Sequence, residues 1–194
     1  MIQVTEEDTF QCILRVISNN ICKNPVALDF ASGSNPGGSW RSKQTGTQEE
    51  SLCRRSNLGL LLEKEKYPIE RDGLRYIKKV TITHDFNGPL KTPVYCGIIA
   101  SELRGIANSS KKYLKNRIDA LYNCAIKNKH DLIVLGAWGC GAFKETDEDT
   151  GIIAELFFES AFEYKDKIKT IFAIKGKYNY KIFHNYINHI NTTG

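Results

Sequence analysis

The chain has no apolar run approaching the roughly 20 residues that a membrane-spanning helix needs. Its opening, Met1-Ile2-Gln3-Val4-Thr5-Glu6-Glu7-Asp8, lacks the basic-then-apolar order of a secretory signal. An intracellular, cytoplasmic protein with no membrane partner is expected. The six cysteines, Cys12, Cys22, Cys53, Cys96, Cys124 and Cys140, form no CxxC pair and no Cys/His ligand cluster, which argues against zinc and against a disulfide framework. His130, His184 and His189 have no metal spacing either, so no metal and no cofactor are expected. There is no Walker sequence, no full dinucleotide fingerprint, no repeat, and no Pro/Gly/Ser-rich stretch of linker length.

What is present is an average globular make-up: 194 residues, 41% hydrophobic and 25% charged, enough for one well-cored domain over residues 1–194. The formal charge of +5 suits an anionic partner without identifying it. The densest lysine stretch, Lys165 to Lys181, is interleaved with apolar residues and reads as a solvated face rather than a nucleic-acid stripe. An RNA-binding domain would need an aromatic strand or a backbone-clamping loop that the chain lacks. Nothing such as a heptad array demands a second copy, so a monomer is expected.

Apolar spacing predicts a strand at Ile2–Val4, an N-cap at Thr5, a helix carrying Phe10, Leu14 and Ile17, and a strand over Val26–Phe30. A helix from Gln48 to Lys64 follows, with Leu58, Leu61 and Leu62 on one face. Strands near Val80–Thr83 and Val94–Ala100 come next, with Pro89 and Pro93 punctuating the gap. The helix Ser110–Lys129, with Leu114, Ile118, Leu121 and Ala125 on one stripe, feeds the buried-strand run Leu132–Leu135. A helix from Asp147 to Tyr164, a strand Thr170–Ile174 and a last helix with Ile182, Phe183, Tyr186 and Ile190 complete the pattern. Helices alternating with short two-sided strands predict an α/β/α layered sheet, largely parallel or mixed, with ligands beyond the carboxyl ends of the strands.

Two loops leave those ends. Ala31-Ser32-Gly33-Ser34-Asn35-Pro36-Gly37-Gly38-Ser39-Trp40 lets backbone N–H groups approach a phosphate or ribose and runs to a helix start at Thr47-Gln48-Glu49-Glu50. Adjacent carboxylates there can polarise and activate water at a sugar carbon. They also fit a purely structural role, because Thr47 with Glu50 is a capping box and acidic residues suit a first helical turn. The helix dipole should lower a glutamate pKa, so a general acid here needs burial or its neighbour's charge to raise it. The second loop, Gly136-Ala137-Trp138-Gly139-Cys140-Gly141-Ala142-Phe143, reads as a backbone cradle for a diphosphate, with Trp138 or Phe143 offering an aromatic surface. Cys140 suits a tight turn better than a nucleophile's role, and His84 beside Asp85 reads as structural or surface.

Together the segments Phe30–Ser39, Gln48–Arg54 and Leu135–Phe143 resemble the microbial-type poly(ADP-ribose) glycohydrolases of the macrodomain superfamily, whose signature is a glycine triplet followed a short loop later by Gln-Glu-Glu. The resemblance implies a macrodomain-like three-layer α/β/α sandwich with a mixed central sheet. It implies metal-independent hydrolysis at the ribose anomeric carbon, in poly- or mono-ADP-ribose conjugates. It implies Glu50 as acid/base, Glu49 holding the distal ribose and Gln48 in support. Asn35, Gly37 and Gly38 would line the diphosphate on one side and Gly139, Cys140, Gly141 and Ala142 on the other, with Phe143 beside the reacting ribose. The implied partner is ADP-ribose or an ADP-ribosylated macromolecule, with nucleic acid involved only when ADP-ribosylated. Ser39 departs from the signature at its third glycine, and the bulkier, basic Trp40-Arg41-Ser42-Lys43 follows. That departure bears on polymer cleavage more than on ADP-ribose binding, and it leaves open a non-catalytic macrodomain that binds or sequesters ADP-ribose or a derived signal nucleotide.

Overall fold

The apolar runs Val26-Ala27-Leu28 and Leu132-Ile133-Val134-Leu135 can bury both faces only inside a covered sheet, and they lie at its centre. The computed structural model describes residues 1–43, 46–141 and 148–193. In chain order the elements are β1 (Ile2–Thr5), α1 (Thr9–Ser18), β2 (Pro25–Phe30), α2 (Gln48–Arg54), α3 (Leu58–Leu62), β3 (Arg75–Asp85), β4 (Gly88–Ser101), α4 (Lys111–Lys127), β5 (Leu132–Leu135), α5 (Asp149–Glu163), β6 (Lys169–Ala173) and α6 (Lys177–Thr193). The sheet is ordered β1-β6-β5-β2-β4-β3, parallel throughout except for β3, which runs antiparallel to β4. This is the mixed α/β/α sandwich that the alternation of elements predicts.

The period of two along each strand sorts residues between two cores. Val26, Leu28, Ile133, Leu135 and Phe172 face Leu114, Ile118, Leu121, Ile153, Phe157 and Phe183 of α4, α5 and α6. Ala27, Ala31, Ile98, Ala100, Val134 and Ile171 face Phe10, Ile13, Leu52, Leu58 and Leu62 of α1, α2 and α3. Asp29 has the parity of Ala27 and Ala31, so β2 aims a carboxyl group at the underside of α2.

Several boundaries differ from the sequence expectation, each for a tertiary reason. Thr5 is not an N-cap: β1 continues through it, pairing with Ala173. Asp8 caps α1 instead, accepting from the Phe10 and Gln11 N–H groups at 2.7 and 3.0 Å, while Gln11 returns a bond to the Asp8 N–H. The buried face of α1 is accordingly Phe10, Cys12, Ile13 and Val16, with Leu14 and Ile17 only partly covered. The expected helix Gln48–Lys64 is two helices. The Arg55 carbonyl accepts from the Thr83 and His84 N–H groups, and Asn57 exchanges bonds with Thr81, so residues 55–57 join the edge of β3 rather than a helical ladder. Pro89 and Pro93 lie inside β4, not between strands. They fall on the part of β4 beyond its pairing with β2, where a missing N–H removes no bond to a second neighbour.

Asp8 also holds the Arg55 guanidinium through both carboxylate oxygens at 3.1 Å, both side chains being largely buried. Asp8→Ala therefore removes a helix cap and strands a buried cation, and it should lower unfolding free energy by at least ~2 kcal/mol in denaturant titration.

Candidate active site

The carboxyl ends of the parallel strands open on one cavity of about 630 Å3, within the range of small-molecule sites. Its wall draws on every loop leaving those ends: Ser32, Asn35 and Gly38 after β2, Arg104 after β4, Ala137, Gly139 and Gly141 after β5, Ile174 and Lys175 after β6, and Asp8 after β1. Glu49 and Glu50 stand between these loops at the start of α2.

Gln48 fixes that helix to the sheet. Its Oε1 accepts from the Phe30 N–H at 2.9 Å, and its Nε2 donates to the Leu28 carbonyl and to Thr9 Oγ1 at 2.8 and 3.1 Å. The two glutamates then gather the first glycine loop. Glu49 accepts from the Ser32 and Gly37 N–H groups at 2.8 and 3.1 Å. Glu50 accepts from the Ser39 N–H at 3.0 Å, and its other oxygen accepts from both the N–H and the hydroxyl of Thr47 at 2.6 Å. The capping role read from the spacing is real, and the same carboxylate faces the cavity. Gly37 and Gly38 have φ of +74° and +58°, and a Cβ on Gly38 would run into the Glu50 carboxylate. Ser39, at the third signature position, does not have positive φ, so its side chain adds no backbone strain.

The two carboxyl groups differ in protonation. Burial pushes Glu49 up to about 8, with the Glu50 and Glu102 charges adding to the effect and the Ser32 and Gly37 N–H groups opposing it. Burial also pushes Glu50 upward, but hydrogen bonds from Thr47 and Ser39 outweigh it and hold this carboxyl below the usual range. Glu49 thus holds its proton to higher pH than Glu50 does.

Beneath them lies a group that the sequence reading did not single out. Asp29 is fully buried, neither carboxyl oxygen has a hydrogen-bond partner among the described residues, and burial followed by the Glu49 and Glu50 charges raises its pKa well above the ordinary value. Its signal in the sequence is a lone carboxyl inside an otherwise apolar strand. Asp8, Thr9, Phe30, Arg104, Lys175 and Asn179 also line the cavity without having been picked out as site residues.

Of the residues expected in the second loop, Gly139 and Gly141 line the cavity. Cys140 is buried behind them, its thiol against the Trp138 carbonyl at 3.5 Å, and Ala142 and Phe143 lie outside the described residues. Gly37 is likewise buried, in contact with Glu49 rather than on the cavity wall. Trp138 offers no aromatic surface to a ligand. It is 1% exposed, donates its indole N–H to the Ser101 carbonyl at 2.9 Å, and lies under Arg117. His84 is exposed and bonded to its neighbour Thr83, and Asp85 caps the hairpin turn at Asn87.

A mixed α/β/α sheet whose strand ends open on a cavity between two glycine-containing loops and paired carboxyl groups is a macrodomain-like arrangement. The family model for the microbial-type PARG catalytic domain matches residues 1–84. The whole fold matches the poly(ADP-ribose) glycohydrolase (PARG) of Deinococcus radiodurans solved with ADP-ribose, at a TM-score of 0.84 and 26% identity, over 98% of this chain and 85% of that one. It also matches the Thermomonospora curvata enzyme bound to the inhibitor ADP-HPD, at a TM-score of 0.80 and 24% identity, over 95% and 78% of the two chains. No curated protein sequence matches significantly. By its N-terminal residues and by its fold, the chain is similar to the microbial-type PARGs, as the two loop motifs imply.

The raised pKa of Asp29 has a definite sign. The neutral form is favoured in the folded state, so its contribution is present below the unfolded-state pKa near 3.8 and is lost as pH rises above it. Thermal melts should show Asp29→Asn gaining stability relative to the wild type with rising pH, and a pH-independent difference would mean that Asp29 is solvated.

Proposed function

We propose that the protein is an ADP-ribosyl glycohydrolase that hydrolyses the bond at the anomeric carbon of the distal ribose, with Glu50 as acid/base. One observation carries the reading: two adjacent carboxyl groups, held by different sets of hydrogen-bond donors, face a cavity between two glycine loops. The match of residues 1–84 and the fold shared with an ADP-ribose-bound relative supply the substrate class.

In this reading the diphosphate lies between the Gly38 and Gly139–Gly141 backbones, where N–H groups meet it without side-chain bulk. The distal ribose rests against α2. Neutral Glu49 retains a proton to donate to a ribose hydroxyl, and its neutrality avoids two adjacent negative charges. Bound substrate expels water from Glu50. Desolvation is already the largest influence on that carboxyl, so closure raises its pKa toward the range in which it takes a proton from solvent. Glu50 then gives that proton to the leaving oxygen as the glycosidic C–O bond breaks. The resulting carboxylate faces the oxocarbenium-like ribose and removes a proton from the incoming water, whose oxygen bonds to the anomeric carbon. The products are ADP-ribose and the leaving group bearing its hydroxyl or equivalent. These roles are carried by protein side chains.

Glu50→Gln should lower release of ADP-ribose from poly- and mono-ADP-ribosylated protein by about 100-fold or more, with ADP-ribose affinity within a few-fold of wild type by calorimetry. Binding without release by the wild type on either substrate would instead identify a reader of ADP-ribose. The pH profile tests Glu49. As pH rises through about 8 its neutral form is lost, so kcat/KM should fall on the alkaline side. Glu49→Gln, which mimics the neutral carboxyl, should retain measurable activity and lose that alkaline limb.

A further inference from the structure

The first glycine loop has two sides. Across Gly38 and Ser39 from the main cavity lies a second, shallow groove of about 240 Å3, enclosed by Pro36, Trp40, Arg41, Ser42 and Glu63. Gly38 and Ser39 line both spaces, and the Ser39 N–H is one of the groups bonded to Glu50. The two spaces thus adjoin at the backbone that Glu50 holds.

The groove is built from paired side chains. The Arg41 guanidinium lies over the Trp40 ring at 4.4 Å and pairs with both oxygens of Glu63 at 2.8 Å. Arg54 donates to the Trp40, Ser39 and Ser42 carbonyls at 3.0, 3.3 and 3.2 Å, locking the turn that carries them. The Trp40 ring is seated so closely on Gly59 of α3 that a Cβ there would collide with it. Trp40-Arg41 is the segment that sequence alone reads only as bulk and charge. Folded, it is a half-buried indole beneath an exposed planar cation that its pairing with Glu63 holds in place over the ring.

We propose that this groove is the leaving-group subsite and that it takes the adenine and phosphates of the adjoining ADP-ribose unit, with Trp40 and Arg41 as the recognition pair. The assignment rests on the glycohydrolase reading above and deepens it. A stacked aromatic and guanidinium suit a base and a phosphate, whereas a protein side chain as leaving group would bring neither. A nucleic-acid chain would call for a track of cations beside it, and the densest lysine stretch lies instead around β6 and α6.

The test uses the Glu50→Gln protein, in which binding is read without turnover. A two-unit ADP-ribose oligomer should bind about tenfold tighter than ADP-ribose. Adding Arg41→Ala should erase that difference while leaving ADP-ribose affinity and the thermal melt unchanged. Trp40→Phe should weaken the oligomer's advantage less than Arg41→Ala does. In the otherwise wild-type enzyme, Arg41→Ala should raise KM on polymer with little change in kcat, and should leave KM on mono-ADP-ribosylated protein unmoved. Equal affinity for oligomer and monomer, or equal KM changes on both substrates, overturns the subsite while leaving the glycohydrolase reading intact. Tighter, Arg41-dependent binding of an ADP-ribosylated oligonucleotide than of the oligomer overturns the choice of occupant. Failure of ADP-ribose itself to bind removes the glycohydrolase reading and the subsite with it.

Discussion

The attachment of the first glycine loop to two adjacent carboxyl groups is the constraint on which the rest of the site depends. The N–H groups of Ser32, Gly37, Ser39 and Thr47 all end on Glu49 or Glu50. Backbone amides in a loop must find acceptors, and these acceptors belong to the first turn of α2. Loop shape and helix position are therefore one decision. Gln48 transmits it to the sheet by bonding to the Phe30 and Leu28 backbone, so the cavity wall is referred to the central strand β2.

The same bonds set the electrostatics. Two carboxyl groups side by side over a third, Asp29, cannot all be ionised in a buried space. The number and type of donors divide the charge among them. Glu50, with a hydroxyl and two N–H donors, is held toward the ionised form; Glu49, more deeply buried with two N–H donors, and Asp29, with none among the described residues, are pushed toward the neutral form. A capping box and a reactive carboxylate are often treated as competing explanations for a glutamate at a helix start. At Glu50 the capping geometry supplies the hydrogen bonds that define its charge state, and the open side of the same group faces the cavity.

The departure at Ser39 acquires a different meaning in three dimensions. The third signature position has ordinary backbone geometry here, so a side chain there is tolerated. The bulk that follows is directed away from the cavity, with Trp40 against α3 and Arg41 against Glu63. Sequence bulk beside a glycine loop says nothing of direction, and direction decides whether it crowds the substrate.

The sequence alone determined the layered α/β/α architecture, because two-sided apolar strands alternating with amphipathic helices bury their surfaces in few other ways. It also located both glycine loops and the Gln48-Glu49-Glu50 helix start, since loop chemistry and capping are local. It did not determine the break between α2 and α3, which exists because Arg55 and Asn57 bond to β3, or the true cap of α1, which follows from how far β1 is paired. It did not reveal Asp29 as part of the site or Trp138 as core. The first depends on strand parity beneath α2 and the second on a bond to Ser101 far along the chain. Which glutamate is pushed toward the neutral form was decided by the tertiary structure, because the burial of Glu49 and its neighbours' charges come from segments that meet only when the sheet is assembled.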